Sequence, residues 1–496
     1  MRKKLLSKNV SSTLISEVTA LICGFILPRL FLSRFGSEVN GLTQSIVQFL
    51  QIITFLQLGI DAVVESSLYK PLAEKDPDQI SRIMTSANRF LKKVSAVLLV
   101  YIAVLVLVYP PLAAPGFDRL YTITLILAIS INTFGQYYFG MANSMILNAD
   151  QRGYINHNSI TIATIVNTIV CALLISQNYS VQIVKLVSSL IFIIRSVLLR
   201  IYVTRRYQIN WNAAYSKEPI QQKWNGIAQH IAFLVLEHTD VVVLTLFSTL
   251  SNVSIYSVYF MIVDGIKRLL LSVSKSTQGL LGELWAKEEY DRLSDVFSCM
   301  EWSIHVLTTF IFSCVAALIV PFVKVYTFGI NDAEYVQPVF ALILTFANAM
   351  HCYRLPYNIM VLATGRYKET QNSFFFATAL NVVISILLVR RFGLTGVAIG
   401  TLLAMSYHTI RLAYFNSKEL IHWPMKNAAK QLLSDIVCGT IIVALSQFFT
   451  LSSLTYFSWF ILAVKVAAIS FIITAAVNVI FHRDRIKLFL TIVRQR

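Results

Sequence analysis

Apolar runs recur from residue 12 almost to the C-terminus, separated by short polar stretches. A helix rises 1.5 Å per residue, so crossing roughly 30 Å of hydrocarbon takes about 20 apolar residues. On that criterion, spans are predicted near residues 12–32, 42–67, 94–110, 121–141, 155–175, 181–199, 227–249, 253–274, 296–320, 336–362, 371–388, 394–410, 432–450 and 456–480. The pattern predicts an all-α polytopic membrane protein of about 14 transmembrane helices.

Sliding the chain over itself until Asn158 meets Asn372 lays span 5 on span 11. In that register Asn158, Ser159, Ala163, Thr164, Asn167, Leu173 and Leu174 fall on Asn372, Ser373, Ala377, Thr378, Asn381, Leu387 and Leu388, and Ala149 and Arg152 fall on Ala363 and Arg366. Nine identities in 26 ungapped positions exceed what composition supplies and indicate an internal duplication. The offset implies two six-helix repeats, and an even number of crossings makes them parallel. The expected organisation is an N-terminal bundle (1–203), a cytoplasmic linker (204–225), a C-terminal bundle (226–415), and two extra helices with a basic tail (416–496). Parallel repeats of this kind place a substrate at the interface of two lobes.

The net charge of +17 raises nucleic acid as a partner, but the placement of the basic residues argues otherwise. With the N-terminus inside, inner loops and tails hold 30 Lys and Arg and outer loops five, with seven inside spans. That asymmetry is the positive-inside signature, so the charge reports topology and attraction to anionic lipid, with both termini cytoplasmic. Glu17, Pro28 and Arg29 interrupt the first apolar run, which is read as a retained helix rather than a signal peptide. The six cysteines lack Cys-x-x-Cys spacing and read as small reduced core residues. No P-loop or His-Glu-x-x-His sequence is present, and Asp76-Pro77-Asp78 reads as a chance match to a sugar-transferase motif. Inside segments near 68–93, 200–225 and 275–295 are basic and amphipathic, as interfacial helices are.

Charges within spans are the informative ones, since one at mid-membrane costs at least about 2.5–3.5 kcal/mol and tends to face a cavity or a partner. Asp61 and Glu65 lie in span 2, Glu237, His238 and Asp240 in span 7, Asp264, Lys267 and Arg268 in span 8, Arg354 in span 10, and Arg29 in span 1. Spans 1, 2, 7 and 8 begin the two repeats, which favours a polar cavity between the bundles. Each group also has a plainer reading: an internal ion pair for Asp264 with Lys267 and Arg268, snorkelling for Arg29, and a structural hydrogen-bonded cluster for Glu237, His238 and Asp240.

Leu27-Pro28-Arg29, Phe35-Gly36, Asn40-Gly41-Leu42, Gln57-Leu58-Gly59-Ile60-Asp61, Lys75-Asp76 and Phe392-Gly393-Leu394-Thr395-Gly396-Val397-Ala398 follow one another along the chain. Together they resemble bacterial polysaccharide transporters, the O-antigen-type lipid-linked oligosaccharide flippases of the multidrug/oligosaccharidyl-lipid/polysaccharide exporter superfamily. Gly396 and Gly400 are also spaced for close helix packing. The resemblance implies alternating-access transfer of an undecaprenyl-diphosphate-linked oligosaccharide from the cytoplasmic to the outer leaflet of the bacterial inner membrane, with no bond made or broken. It further implies substrate-binding by Arg29, Lys267, Arg268 and Arg354, since Arg suits a diphosphate.

Ion coupling or gating is assigned to Asp61, Glu65, Glu237, His238, Asp240 and Asp264, with H⁺ or Na⁺ as the coupling ion and no other cofactor or metal. Expected partners are membrane lipid and other polysaccharide-assembly proteins. A drug or cation antiporter of the same superfamily competes with this reading but calls for an acidic cavity with few bases. A membrane polysaccharide polymerase calls for larger outer loops than any here, the longest being Pro321–Tyr335.

Overall fold

The computed structural model describes residues 2–56, 60–215, 238–421 and 424–494. No strand occurs among them. The chain forms two compact units, Met1–Leu234 and Val235–Arg496. The first contains α1 (Arg2–Gln51), a 3₁₀ turn (Ile52–Leu56), α2 (Ile60–Glu74), α3 (Pro77–Ala113), α4 (Arg119–Gly135), a π turn (Gln136–Gly140), α5 (Met141–Ala149), α6 (Gly153–Ser176) and α7 (Val181–Tyr207). The second contains α8 (His238–Phe247), α9 (Leu250–Lys275), α10 (Gln278–Ala286), α11 (Tyr290–Tyr326), α12 (Pro338–Tyr353), α13 (Leu355–Ala363), α14 (Tyr367–Phe415), α15 (Met425–Ser446), α16 (Tyr456–Phe481) and α17 (Arg483–Arg494). Among the described residues, eight helices are long and apolar enough to cross a membrane. The protein is a multi-pass membrane protein.

Helix starts follow local chemistry. Asp76 caps α3 by accepting from the backbone N–H of Asp78 and Gln79, each at 3.0 Å, and Pro77 at the first position has no N–H to satisfy. Thr249 caps α9 in the same way through the N–H of Asn252 at 3.2 Å. The predicted interfacial segments are largely continuations of the spans. Residues 77–93 begin the 37-residue α3 and residues 200–207 end α7, because no Gly or Pro interrupts the hydrogen-bond ladder there. Among the described residues of these segments only α10 is a separate short helix, and residues 216–225 lie outside the described residues.

The duplication is visible element by element. The register that lays Asn158 on Asn372 also lays Gly153, the first residue of α6, on Tyr367, the first residue of α14. It brings the start of α3 at Pro77 to within one position of the start of α11 at Tyr290. The left-handed turns before α6 and α14 sit at Gln151 (φ 57°) and Gly365 (φ 70°), which the same register superposes.

Two long helices are each a pair of spans. α1 leaves helical geometry at Gly36 (φ 79°, ψ 175°). Its second arm descends along α3, with Tyr109 donating to Ser45 Oγ at 2.7 Å and Tyr101 to the Phe49 carbonyl at 2.8 Å. α14 reverses at Gly393 (φ 53°, ψ −127°), and its arms lie against each other. A Cβ at Gly396 would lie 2.6 Å from the Leu388 carbonyl, and one at Gly400 would lie 3.0 Å from the Ser385 N. Farther down the same seam, Asn381 Nδ2 donates to Thr401 Oγ1 at 3.0 Å, and the Phe374 and His408 rings meet edge to face at 4.0 Å. Glycine at 396 and 400 is therefore what lets these backbones touch. Gly400→Leu is expected to lower stability by about 1–3 kcal/mol through overpacking. Gly24→Leu, where nothing lies within 4 Å, is expected to be near neutral. Thermal melting of the two purified variants followed by size-exclusion chromatography checks this.

Candidate functional site

In the second unit, α8, α9, α12 and the second arm of α14 enclose a small cavity of about 20 Å³, lined by Asp240, Tyr256, Lys267, Asn348, His351, Thr401 and neighbouring apolar side chains. That volume holds about one water molecule or a bare ion. Asp240 is 5% exposed. Its Oδ2 accepts from Tyr256 Oη and from Thr401 Oγ1, each at 2.8 Å, and its Oδ1 faces Asn381 Nδ2 at 3.4 Å. Asn381 Oδ1 is buried and has no hydrogen-bond partner among the described residues. A carboxylate, a hydroxyl and an amide oxygen form an all-oxygen set, of the kind that suits a proton or a hard monovalent cation. Among the described residues, no three His, Cys, Asp or Glu gather as a metal site.

Arg354 stands at the corner between α12 and α13, where Pro356 supplies no N–H to the ladder. It is 2% exposed. Its Nη1 bonds His408 Nδ1, its Nη2 bonds His351 Nδ1 at 3.2 Å, and the guanidinium lies 5.7 Å from the Phe374 ring centre. A guanidinium only donates, so both Nδ1 atoms accept and both imidazole protons sit on Nε2. His351 lines the cavity, which puts Arg354 one hydrogen bond behind it rather than on its wall.

Lys267 reaches the cavity while pairing with Asp264 at 3.3 Å, and its ammonium lies 5.2 Å from the Phe260 ring centre. Arg268 pairs with the other Asp264 oxygen at 2.8 Å but has a side chain 66% exposed. The internal ion pair of the plainer reading is thus present, and Lys267 faces the cavity as well. The structure brings Asp240, Lys267 and, through His351, Arg354 together. It leaves Arg268 outside this group. His238 is half-buried at the start of α8, and Glu237 lies outside the described residues. In the first unit, Arg29 is half-buried in α1, and Asp61 is exposed one turn before Glu65 on α2. Glu65 Oε1 accepts from Asn148 Nδ2 at 2.9 Å, which ties α2 to α5.

A second buried polar group escapes the sequence reading. Asp435 on α15 accepts from Thr309 Oγ1 at 2.9 Å and Gln431 Nε2 at 3.2 Å, and bonds His305 Nδ1 at 2.6 Å. The His305 ring stacks on Tyr353, with centres 4.7 Å apart, and Glu301 accepts from Tyr357 Oη at 2.5 Å. Glu301, His305 and Asp435 are all at most 5% exposed. The signal available in the sequence is a Glu and a His one helical turn apart within a predicted span.

No protein-family model and no curated protein matches this sequence. Solved structures do match in fold. The lipid II flippase MurJ in an inward closed conformation is similar over 96% of this chain and 99% of its own, at 14% identity and a TM-score of 0.71. An inward-facing multidrug-resistance MATE family transporter of the MOP superfamily is similar over 81% and 96%, at 14% identity and 0.62. The MATE multidrug transporter DinF-BH, solved in complex with a ligand, is similar over 85% and 97%, at 14% identity and 0.58. The chain has the fold of the MOP-superfamily transporters.

Proposed function

We propose that the protein is a membrane flippase that carries an undecaprenyl-diphosphate-linked oligosaccharide from the cytoplasmic to the outer leaflet by alternating access, for cell-surface polysaccharide assembly in a bacterial cytoplasmic membrane. It works as a transporter and not as an enzyme, with both termini cytoplasmic. The observation that carries this reading is length. The likeness to a lipid-linked-precursor flippase extends over 96% of the chain, whereas that to the two multidrug transporters stops at 81% and 85%. The difference is about the size of the helices beyond α14. Lys267 beside the cavity supports an anionic head group, since an ammonium there forms charge-assisted hydrogen bonds with phosphate. A drug or cation antiporter is the second reading, favoured by the buried carboxylate of Asp240.

Outer-leaflet exposure of lipid-linked oligosaccharide in proteoliposomes, measured by sugar accessibility, tests the proposal. Flipping is expected only with the protein, and to fall about tenfold or more in Lys267→Ala and in Arg29→Ala, the usual scale for one charged hydrogen bond. Arg268→Ala is expected to have a smaller effect. Arg354→Ala is expected to lower melting temperature as well as flipping, because it leaves His351 and His408 without their donor. Drug efflux without flipping would replace this reading by the antiporter.

Coupling to H⁺ or Na⁺ is proposed at Asp240. Imposing a Na⁺ or a pH gradient on the same vesicles is expected to accelerate wild-type flipping, and Asp240→Asn is expected to abolish that acceleration while leaving the downhill rate measurable. Equal acceleration in both proteins would remove Asp240 from this role.

A further inference from the structure

At the end of the α14 hairpin remote from Gly393, the two arms part around a cleft of about 310 Å³, lined by Thr370 and Ser373 on one side and by Tyr407 and Arg411 on the other, with Glu369 at its edge. The duplication shows what fills the matching place in the first unit. Once one position is dropped at the turn, Leu394 at the start of the second arm of α14 matches Val181 at the start of α7, and both of these first residues are buried. In the first unit, Arg195 of α7 lies against α6, its Nη2 donating to Asn156 Oδ1 at 2.5 Å and its Nε to Ser159 Oγ at 3.1 Å. The residues matching Asn156 and Ser159 are Thr370 and Ser373. The residue matching Arg195 is His408, which is turned away toward Arg354 and Phe374. The guanidinium seat of the first unit is therefore vacated in the second.

We propose that this cleft seats the head group of an amine-bearing zwitterionic phospholipid. Thr370 Oγ1 donates its proton to the Tyr367 carbonyl at 3.1 Å, and Ser373 Oγ donates to the Thr370 carbonyl at 2.7 Å. Both hydroxyls therefore offer only lone pairs to the cleft. The Glu369 carboxylate is paired with Arg366 through two hydrogen bonds, and its remaining lone pairs add acceptors on the same side. This wall accepts hydrogen bonds from a cation, as its counterpart does from Arg195.

Across the cleft, the Arg411 guanidinium makes no hydrogen bond or ion pair among the described residues and lies only over the Tyr414 ring, 5.5 Å from its centre. Its fork matches a phosphate, and the Tyr407 hydroxyl beside it is likewise without a hydrogen bond among the described residues. A hairpin of this fold does not require such polarity. The first-unit residues matching Glu369, Phe376, Tyr407 and Arg411 are Ile155, Ile162, Ile194 and Leu198. Phe376 and Ile410, each 54% exposed beside the cleft, provide the apolar flank that acyl chains occupy and a free amino-phosphate would not.

Native mass spectrometry of the full-length protein in detergent, incubated with phosphatidylethanolamine, phosphatidylcholine, phosphatidylglycerol or free phosphoethanolamine, tests this. Phosphatidylethanolamine is expected to be retained at least fivefold better than the other three, since choline has no N–H, glycerol has no cation and phosphoethanolamine has no acyl chains. Arg411→Gln is expected to cut that retention at least fivefold. Arg292→Gln, on an exposed arginine elsewhere, is expected to leave it unchanged. The isosteric Thr370→Val is expected to narrow the preference over phosphatidylcholine. Equal retention of the ethanolamine and choline lipids by the wild type, or unchanged retention in a monodisperse Arg411→Gln, overturns the proposal. Phosphoethanolamine bound as well as the lipid overturns it too.

Discussion

The close approach of the two arms of α14 is the constraint on which the second unit's chemistry rests. In hydrocarbon, helices gain nothing from apolar contact that lipid does not also supply, so they associate through close backbone packing and polar bonds. Gly396 and Gly400 let the arms touch, and each level of the seam then places the next group. Asn381 meets Thr401, and both turn to Asp240. Lower down, Phe374 meets His408, and His408 with His351 fixes the Arg354 guanidinium. Wedging the seam open would loosen the carboxylate and the guanidinium together.

The duplicated scaffold carries chemistry that is not duplicated. Arg354 falls on Gly140 when the repeats are superposed, and a Cβ at Gly140 would lie 3.1 Å from Ser196 Oγ. The first unit therefore has little room for a side chain at the corner where the second unit places its most buried charge. Its own cation, Arg195, instead comes from the outgoing helix and binds Asn156 and Ser159. A positive charge thus lies against this hairpin in each unit, half-buried as Arg195 in the first and buried as Arg354 in the second, by a different route. The route taken in the second unit leaves His408 occupied and the old seat open.

Much of the fold was legible because helix length and repetition are local or periodic signals. The repeat register placed α6 and α14 in correspondence, and Gly396 and Gly400 announced close packing. Continuity was harder to read. The basic stretch before span 3 reads as an interfacial helix from its charge, yet from Pro77 onward it runs unbroken into span 3 as one helix, because charge pattern says where water is and not where a backbone ladder stops. The site was legible in part. Asp240 and Lys267 were recognisable as charges within spans, but whether Arg354 faced a cavity or a partner depended on which side of the α12–α13 corner it left. His408 and His351, which decide that, lie 54 residues after it and 3 residues before it. The pairing of His305 with Asp435 crosses 130 residues, and no periodicity connects two such positions.

The His305 and Asp435 pair also bears on how α15 and α16 are held. Asp435 joins α15 to α11, Trp302 Nε1 donates to Asn478 Oδ1 of α16 at 2.9 Å, and Trp459 Nε1 donates to the Leu318 carbonyl at 3.3 Å. These bonds run along one side of α11 and give the C-terminal helices a specific register that apolar contact alone would not select. Polar groups in this unit therefore divide by what surrounds them. Asp435 is enclosed by three partners from its own unit, and a ligand could reach it only by displacing them. Lys267, by contrast, lies against a cavity and pairs with an Asp264 carboxylate that is already shared with Arg268. An ammonium whose counterion has a second partner gives up less when it turns toward an incoming phosphate. On the flippase reading we propose, Lys267 is a buried cation among the described residues of the second unit placed to exchange an ion-pair partner for the phosphate of the substrate.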